Sequence, residues 1–116
     1  MKVLLVDDEQ KFAEMLAKRL ELRGIDTDYV HSGEEAILKT GKASYDVAIL
    51  DVKMPGIGGI ELERRLRALA PEMKFIFLTG HGSKADFETG SAQAVSYLAK
   101  PIRIEELITI LEEVVG

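Results

Sequence analysis

A chain of 116 residues makes one domain, and a 47% apolar share is enough for a single core. It has no cysteine, which excludes disulfides and thiolate metal sites. The formal net charge of −5 excludes the positive footprint of non-specific nucleic-acid binding. With no basic-apolar leader and no apolar run of membrane-spanning length, a soluble cytoplasmic protein without membrane insertion is the expectation.

In chain order, Val3-Leu4-Leu5-Val6 is a short unbroken apolar run of the kind buried on both faces of a parallel sheet, and it ends on Asp7-Asp8-Glu9. Over residues 9–23, Phe12, Met15, Leu16 and Leu20 fall at helical spacing, and Gly24 supplies the stop. Residues 25–30 (IDTDYV) carry two aspartates among apolar residues, which suits a sheet edge. Ser32 and Glu35 have capping-box spacing before a short helix through Ala36 and Ile37, ended by Gly41. A second buried run, Val47-Ala48-Ile49-Leu50, leads into Asp51 and then Val52-Lys53-Met54-Pro55-Gly56. Ile60, Leu62, Leu66, Leu69 and Ala70 mark a third helix closed by Pro71. On that helix Glu61 and Glu63 alternate with Arg64, Arg65 and Arg67, as on a solvated face. Phe75-Ile76-Phe77-Leu78 is the fourth strand, ending on Thr79-Gly80-His81-Gly82. Residues 83–92 form the weakest predicted helix, with few apolar residues and Gly90 inside it. Residues 96–99 make a last strand ending at Lys100-Pro101, and Ile104, Leu107, Ile108 and Leu111 give the closing helix its apolar face. Five strand–helix units predict an α/β fold, a doubly wound five-stranded parallel sheet of order 2-1-3-4-5 with right-handed crossovers.

On that pattern the polar residues coincide. In a parallel sheet every carboxyl end lies on one edge, so Asp7 and Asp8, Asp51, Thr79 and Lys100 meet there. Taken singly, each has an ordinary reading: Asp51 as a turn former, Asp7 or Asp8 as a cap of the first helix, Thr79 as a turn residue, Lys100 as a solvated charge. Their joint placement at four strand ends favours chemistry. Clustered carboxylates repel, and a divalent cation relieves this. Oxygen-only ligation with no histidine or cysteine points to Mg²⁺, whose two charges together with Lys100 offset three carboxylates. Such a site suits phosphoryl transfer, with an aspartate as nucleophile, Thr79 as a donor to a phosphoryl oxygen, and Gly80 leaving room.

Four segments, LLVDDE (4–9), AILDVKMPGIGG (48–59), FLTGHG (77–82) and YLAKP (97–101), are similar in order and spacing to the receiver domains of response regulators in two-component signalling. The likeness covers essentially the whole chain and implies one receiver domain over 1–116, with a flavodoxin-like three-layer α/β/α build. It implies that Asp51 is the phosphoacceptor, supplied by a histidine kinase or histidine phosphotransfer protein. It further implies Mg²⁺ ligation by Asp8, Asp51 and the backbone carbonyl of Lys53, with Asp7 acting through water. Thr79 and Tyr97 would then be switch residues, reshaping a face made by the fourth predicted helix, the last strand and the closing helix. A cis peptide between Lys100 and Pro101 is also implied, as is rate tuning at Lys53 and His81. Kinase recognition would involve Lys11, Glu14, Met15 and Lys18 on the first helix, with the Pro55-Gly56-Ile57 loop.

Where receiver domains commonly carry Gly-Ala before the last strand, this chain has Gln93-Ala94. Glutamine ends a helix less readily than glycine, so residues 83–93 are expected to be mobile. Gly56-Ile57-Gly58-Gly59 lacks the register of a nucleotide loop and reads as turn flexibility. His31, without a partner set, reads as structural. The leading expectation is thus a phosphorylation-dependent signalling switch rather than a turnover enzyme, with a downstream protein target and no direct contact with nucleic acid. The alternative is a Mg²⁺-dependent phosphatase or phosphotransferase with an aspartyl-phosphate intermediate. Haloacid dehalogenase-like enzymes use a similar residue set, but with a second aspartate where this chain has Lys53.

Overall fold

The computed structural model describes residues 1–79 and 96–116, with backbone only at Ser96 and Tyr97. The predicted helix over 83–92, the expected mobility of 83–93, the Gln93-Ala94 pair and His81 lie outside the described residues. Five strands, β1 (Lys2–Val6), β2 (Asp26–Val30), β3 (Val47–Asp51), β4 (Lys74–Thr79) and β5 (Ser96–Ala99), form one parallel sheet in the order β2-β1-β3-β4-β5. Among the described residues four helices cover it: α1 (Gln10–Leu22), α2 (Gly33–Lys42), α3 (Gly59–Leu69) and α4 (Ile104–Val115).

Alternation along each central strand divides the core in two. Val3, Leu5, Val47, Ile49, Ile76 and Leu78 point to one face and pack with residues of α1 and α4. Leu4, Val6, Ala48, Leu50, Phe75 and Phe77 point to the other and pack with α2 and α3. Every one of these twelve side chains is fully buried, so β1, β3 and β4 needed apolar residues at consecutive positions rather than every second one. At roughly 1.5–3 kcal/mol for each large apolar side chain, this double burial is what holds the sheet.

The helix ends follow local chemistry. Gly24 sits just past α1 at φ +80°, where a side chain would clash with its own backbone. The Ser32 hydroxyl accepts from the Glu35 amide at 3.2 Å, and the Glu35 carboxylate reaches back to the His31 amide at 3.3 Å. Three details depart from the sequence reading. Gly41 does not end α2, which runs on to Lys42. Met15 is exposed, because the buried stripe of α1 runs through Ala13, Leu16, Ala17 and Leu20 and leaves it on the flank. Glu63 is not solvated. It is 5% exposed, held by Arg67 one turn on, whose guanidinium lies 5.2 Å from the centre of the Phe75 ring. Glu61, by contrast, pairs with Arg64 and Arg65 on the surface as the charge pattern predicted.

Candidate functional site

The sheet register delivers the site. Val6 pairs with Leu50, so the next residues, Asp7 and Asp51, stand side by side at the switch point. Asp51 pairs with Leu78 and Thr79 with Ala99, which puts Thr79 and then Lys100 one step further along the same edge. Backbone bonds continue the ladder past the strands: Asp7 N–H to Val30 at 3.2 Å, Val52 N–H to Leu78 at 3.0 Å, and Lys100 N–H to Thr79 at 2.9 Å. The side chains therefore project from tethered backbone rather than from free loops.

Each of Asp7, Asp8 and Asp51 offers a carboxylate oxygen, and the three lie within 4.8 Å of one another. Asp7 is fully buried and Asp51 is 6% exposed, while Asp8 faces solvent. Asp7 Oδ1 accepts the Glu9 amide at 2.9 Å. Its buried Oδ2 takes no well-directed hydrogen bond, although Lys100 Nζ stands 2.9 Å away. Lys100 Nζ is 2.6 Å from Glu9 Oε1 and 4.0 Å from Asp51 Oδ2, with the Phe12 ring centre at 4.6 Å. Thr79 is buried, and its hydroxyl donates to the Leu98 carbonyl at 3.4 Å. The Lys100-Pro101 peptide is cis, as the resemblance implied. Tyr97 pairs with Phe77 in the sheet, and its side chain lies outside the described residues.

Burial pushes the Asp51 carboxyl up to about 7, with the neighbouring Asp7 adding to it, Lys100 opposing and Asp8 contributing. Asp7 is also raised, by burial first, against the pull of the Glu9 amide and Lys100. Burial alone would lower Lys100, but its contacts with Glu9 and Asp7 outweigh that and raise it. A cluster that raises its own carboxyl groups and offers oxygen donors only fits a hard divalent cation.

The linkage has a definite sign. Asp51 keeps a proton in the folded chain that the unfolded chain releases from its ordinary value of 3.8 upward. Its stabilisation is thus complete below 3.8 and lost as pH rises through about 7. In a chelator, Asp51→Asn should be more stable than wild type at pH 8 by on the order of 2 kcal/mol, and the gap should close towards pH 4. Urea unfolding of both proteins across that range measures it. A gap independent of pH would remove Asp51 as its source.

Sequence reading missed two contributors, Glu9 and Phe12. Glu9 was visible as the third acid of the run after β1, but nothing local told it apart from a solvated residue before a helix. The spacing of Phe12 places it towards the core, against which it packs half-buried, and its ring also faces the Lys100 ammonium. His31 does have a neighbour in the site, its Nδ1 lying 3.4 Å from the Asp7 carbonyl oxygen.

The family described as the response regulator receiver domain matches residues 3–112. The chain belongs to the response regulator receiver domain family. This receiver domain is 38% identical over 112 residues to the transcriptional regulatory protein TrcR of Mycobacterium tuberculosis, a match covering 96% of this chain and 44% of TrcR. It thus spans about half the length of the curated relatives it matches. Among solved structures it resembles the response regulator TrrA of Thermotoga maritima in complex with Mg²⁺-BeF, at 32% identity and a TM-score of 0.86, over 97% of each chain. It also resembles the chemotaxis protein CheY4 of Vibrio cholerae, at 33% identity and a TM-score of 0.89, again over 97% of each chain. The receiver domain's fold and strand order are those expected from the sequence. No helix among the described residues is long and apolar enough to cross a membrane.

Proposed function

We propose that this receiver domain, acting as a single unit over residues 1–116, is a switch that accepts a phosphoryl group on Asp51. The observation that carries this reading is the meeting of three carboxylates from adjacent strands within 4.8 Å, with an ammonium 4.0 Å from Asp51. Asp8, Asp51 and the Lys53 carbonyl would hold Mg²⁺, with Asp7 acting through water. When bound, the cation would offset the carboxylates and the charge on the incoming phosphoryl oxygens.

A carboxylate oxygen of Asp51 attacks phosphorus. The new O–P bond forms as the bond to the donor's leaving group breaks, and that group departs with the electron pair. Lys100 and the Thr79 hydroxyl then pair with phosphoryl oxygens. To do so Thr79 must give up its contact with Leu98, which links the site to β5, where Tyr97 would follow. The surface this motion reshapes is that of β5 and α4, with the predicted helix over 83–92 that lies outside the described residues. The donor is a histidine kinase or histidine phosphotransfer protein, docking over the exposed Lys11, Glu14, Met15 and Lys18 of α1 and the Pro55-Gly56-Ile57 loop. TrcR is named as a transcriptional regulatory protein, so a transcriptional response is the kind of output this switch would serve.

Incubation with Mg²⁺ and a small acyl phosphate, followed by intact-mass spectrometry, tests the reading. One labile phosphoryl group per chain is expected with Mg²⁺, and none with a chelator. Steady hydrolysis of a phosphomonoester without stoichiometric labelling would instead support the phosphatase alternative.

A further inference from the structure

We propose that Glu9 is a positioning residue that parks the Lys100 ammonium on the loop between β1 and α1 in the unphosphorylated chain, so that phosphorylation must draw the lysine off it. The inference deepens the phosphorylation reading and rests on it.

Lys100 has three carboxylates within reach and divides itself unequally among them. Its Nζ lies 2.6 Å from Glu9 Oε1, 2.9 Å from Asp7 Oδ2 and 4.0 Å from Asp51 Oδ2. Phe12 holds the same ammonium from another side, its ring centre 4.6 Å away, which suits a cation over an aromatic face. Glu9 and Asp7 belong to the segment joining β1 to α1 and Phe12 to the first turn of α1, so the nearest partners of Lys100 hold it on the β1–α1 side of the site, 4.0 Å from Asp51. The aim of Glu9 is built in. Its amide donates to Asp7 Oδ1 at 2.9 Å, which fixes its backbone. It occupies the cap position of α1, yet its side chain makes no capping hydrogen bond and is spent on Lys100 instead. Glu9 is also the exposed partner of the pair, at 63% against 17% for Lys100, so its hold is weak enough to be broken in use. During transfer, charge develops on the phosphoryl oxygens beside Asp51 and competes with Glu9 for the lysine. The Glu9 contact is present before transfer and must be given up during it, and it therefore slows the step.

The test is the labelling rate with a small acyl phosphate at saturating Mg²⁺, for Glu9→Gln and Glu9→Asp in wild-type and Lys100→Met backgrounds. Glu9→Gln should label about threefold faster than wild type, the scale of one partly exposed ion pair. Glu9→Asp keeps the charge but is one methylene short of Lys100, so it should show the same gain. In Lys100→Met the gain should vanish. If Glu9→Asp labels at the wild-type rate while Glu9→Gln is faster, Glu9 acts by repelling the donor and the proposal falls. A gain that persists in Lys100→Met overturns it too. The Glu9→Asp comparison needs no change at Lys100, so it decides the matter even if Lys100→Met does not fold. A second arm uses neither metal nor donor. In chelator, Glu9→Gln should lower the urea midpoint of wild type and leave that of Lys100→Met unmoved; equal shifts would overturn the pairing. If wild type takes no label, the phosphoacceptor reading fails while this arm still judges the Glu9–Lys100 contact.

Discussion

Asp51→Asn should take up no phosphoryl group under conditions that label nearly every wild-type chain, a loss on the order of a thousandfold or more in rate. An amide copies the shape of the carboxylate but has neither its charge nor an available nucleophilic oxygen. The remaining acids are poor substitutes. Asp7 is fully buried, with one oxygen on the Glu9 amide and the other 2.9 Å from Lys100. Asp8 is exposed, and the carboxylates that Lys100 faces are those of Asp7, Glu9 and Asp51. Peptide mapping of the label distinguishes these cases. A phosphoryl group found on Asp8 in wild type would reassign the nucleophile and leave the cluster's charge argument standing. The variant also carries its own control for folding. Removing a carboxyl held near 7 should stabilise the metal-free chain at neutral pH, so loss of labelling would not reflect loss of structure.

What the chain declared in advance, and what it kept back, divides along a physical line. The central strands were legible because burial on both faces forces consecutive apolar residues, as in residues 47–50 and 75–78. Once they were placed, the sheet edge followed, and with it the meeting of Asp7, Asp8, Asp51, Thr79 and Lys100. That step needs only the rule that parallel strands share a carboxyl edge. The hidden features depend on which way a side chain leans. Glu9 and Lys100 are 91 residues apart, and no periodicity says that the glutamate leans toward the lysine rather than into water. Glu63 sits in an alternating charge pattern that reads as solvated, yet it is buried beneath Arg67. Met15 kept helical spacing with the core residues but fell just outside their stripe. Periodicity locates a face to within about one residue, and residues at its margin are settled by packing.

The glycines after β3 show the same division at larger cost. Read together, Gly56, Gly58 and Gly59 look like a flexible turn, and for Gly56, at φ +75°, that holds. Gly59 has a different reason. It is the first residue of α3, its amide donates to the Val52 carbonyl at 2.9 Å, and it has no positive φ. A Cβ there would lie well inside contact distance of the Asp51 carbonyl oxygen and carbon and of Val52 Cα. All three are backbone atoms that no rotamer change can move aside. Gly59→Ala must therefore lift the start of α3 off the end of β3 and strain both, at an expected cost of about 3 kcal/mol. Gly58→Ala is the matched control. Its nearest neighbour would be the Val52 carbonyl at 3.5 Å, an ordinary contact, and the change should cost no more than about 1 kcal/mol. Urea unfolding of the two variants side by side measures the difference. Because the strained atoms are the backbone of Asp51 itself, Gly59→Ala should also slow labelling in the fraction that stays folded, whereas Gly58→Ala should not. Equal stability of the two variants would mean that α3 is not seated on the Asp51 backbone, and that the site does not depend on that helix for its position.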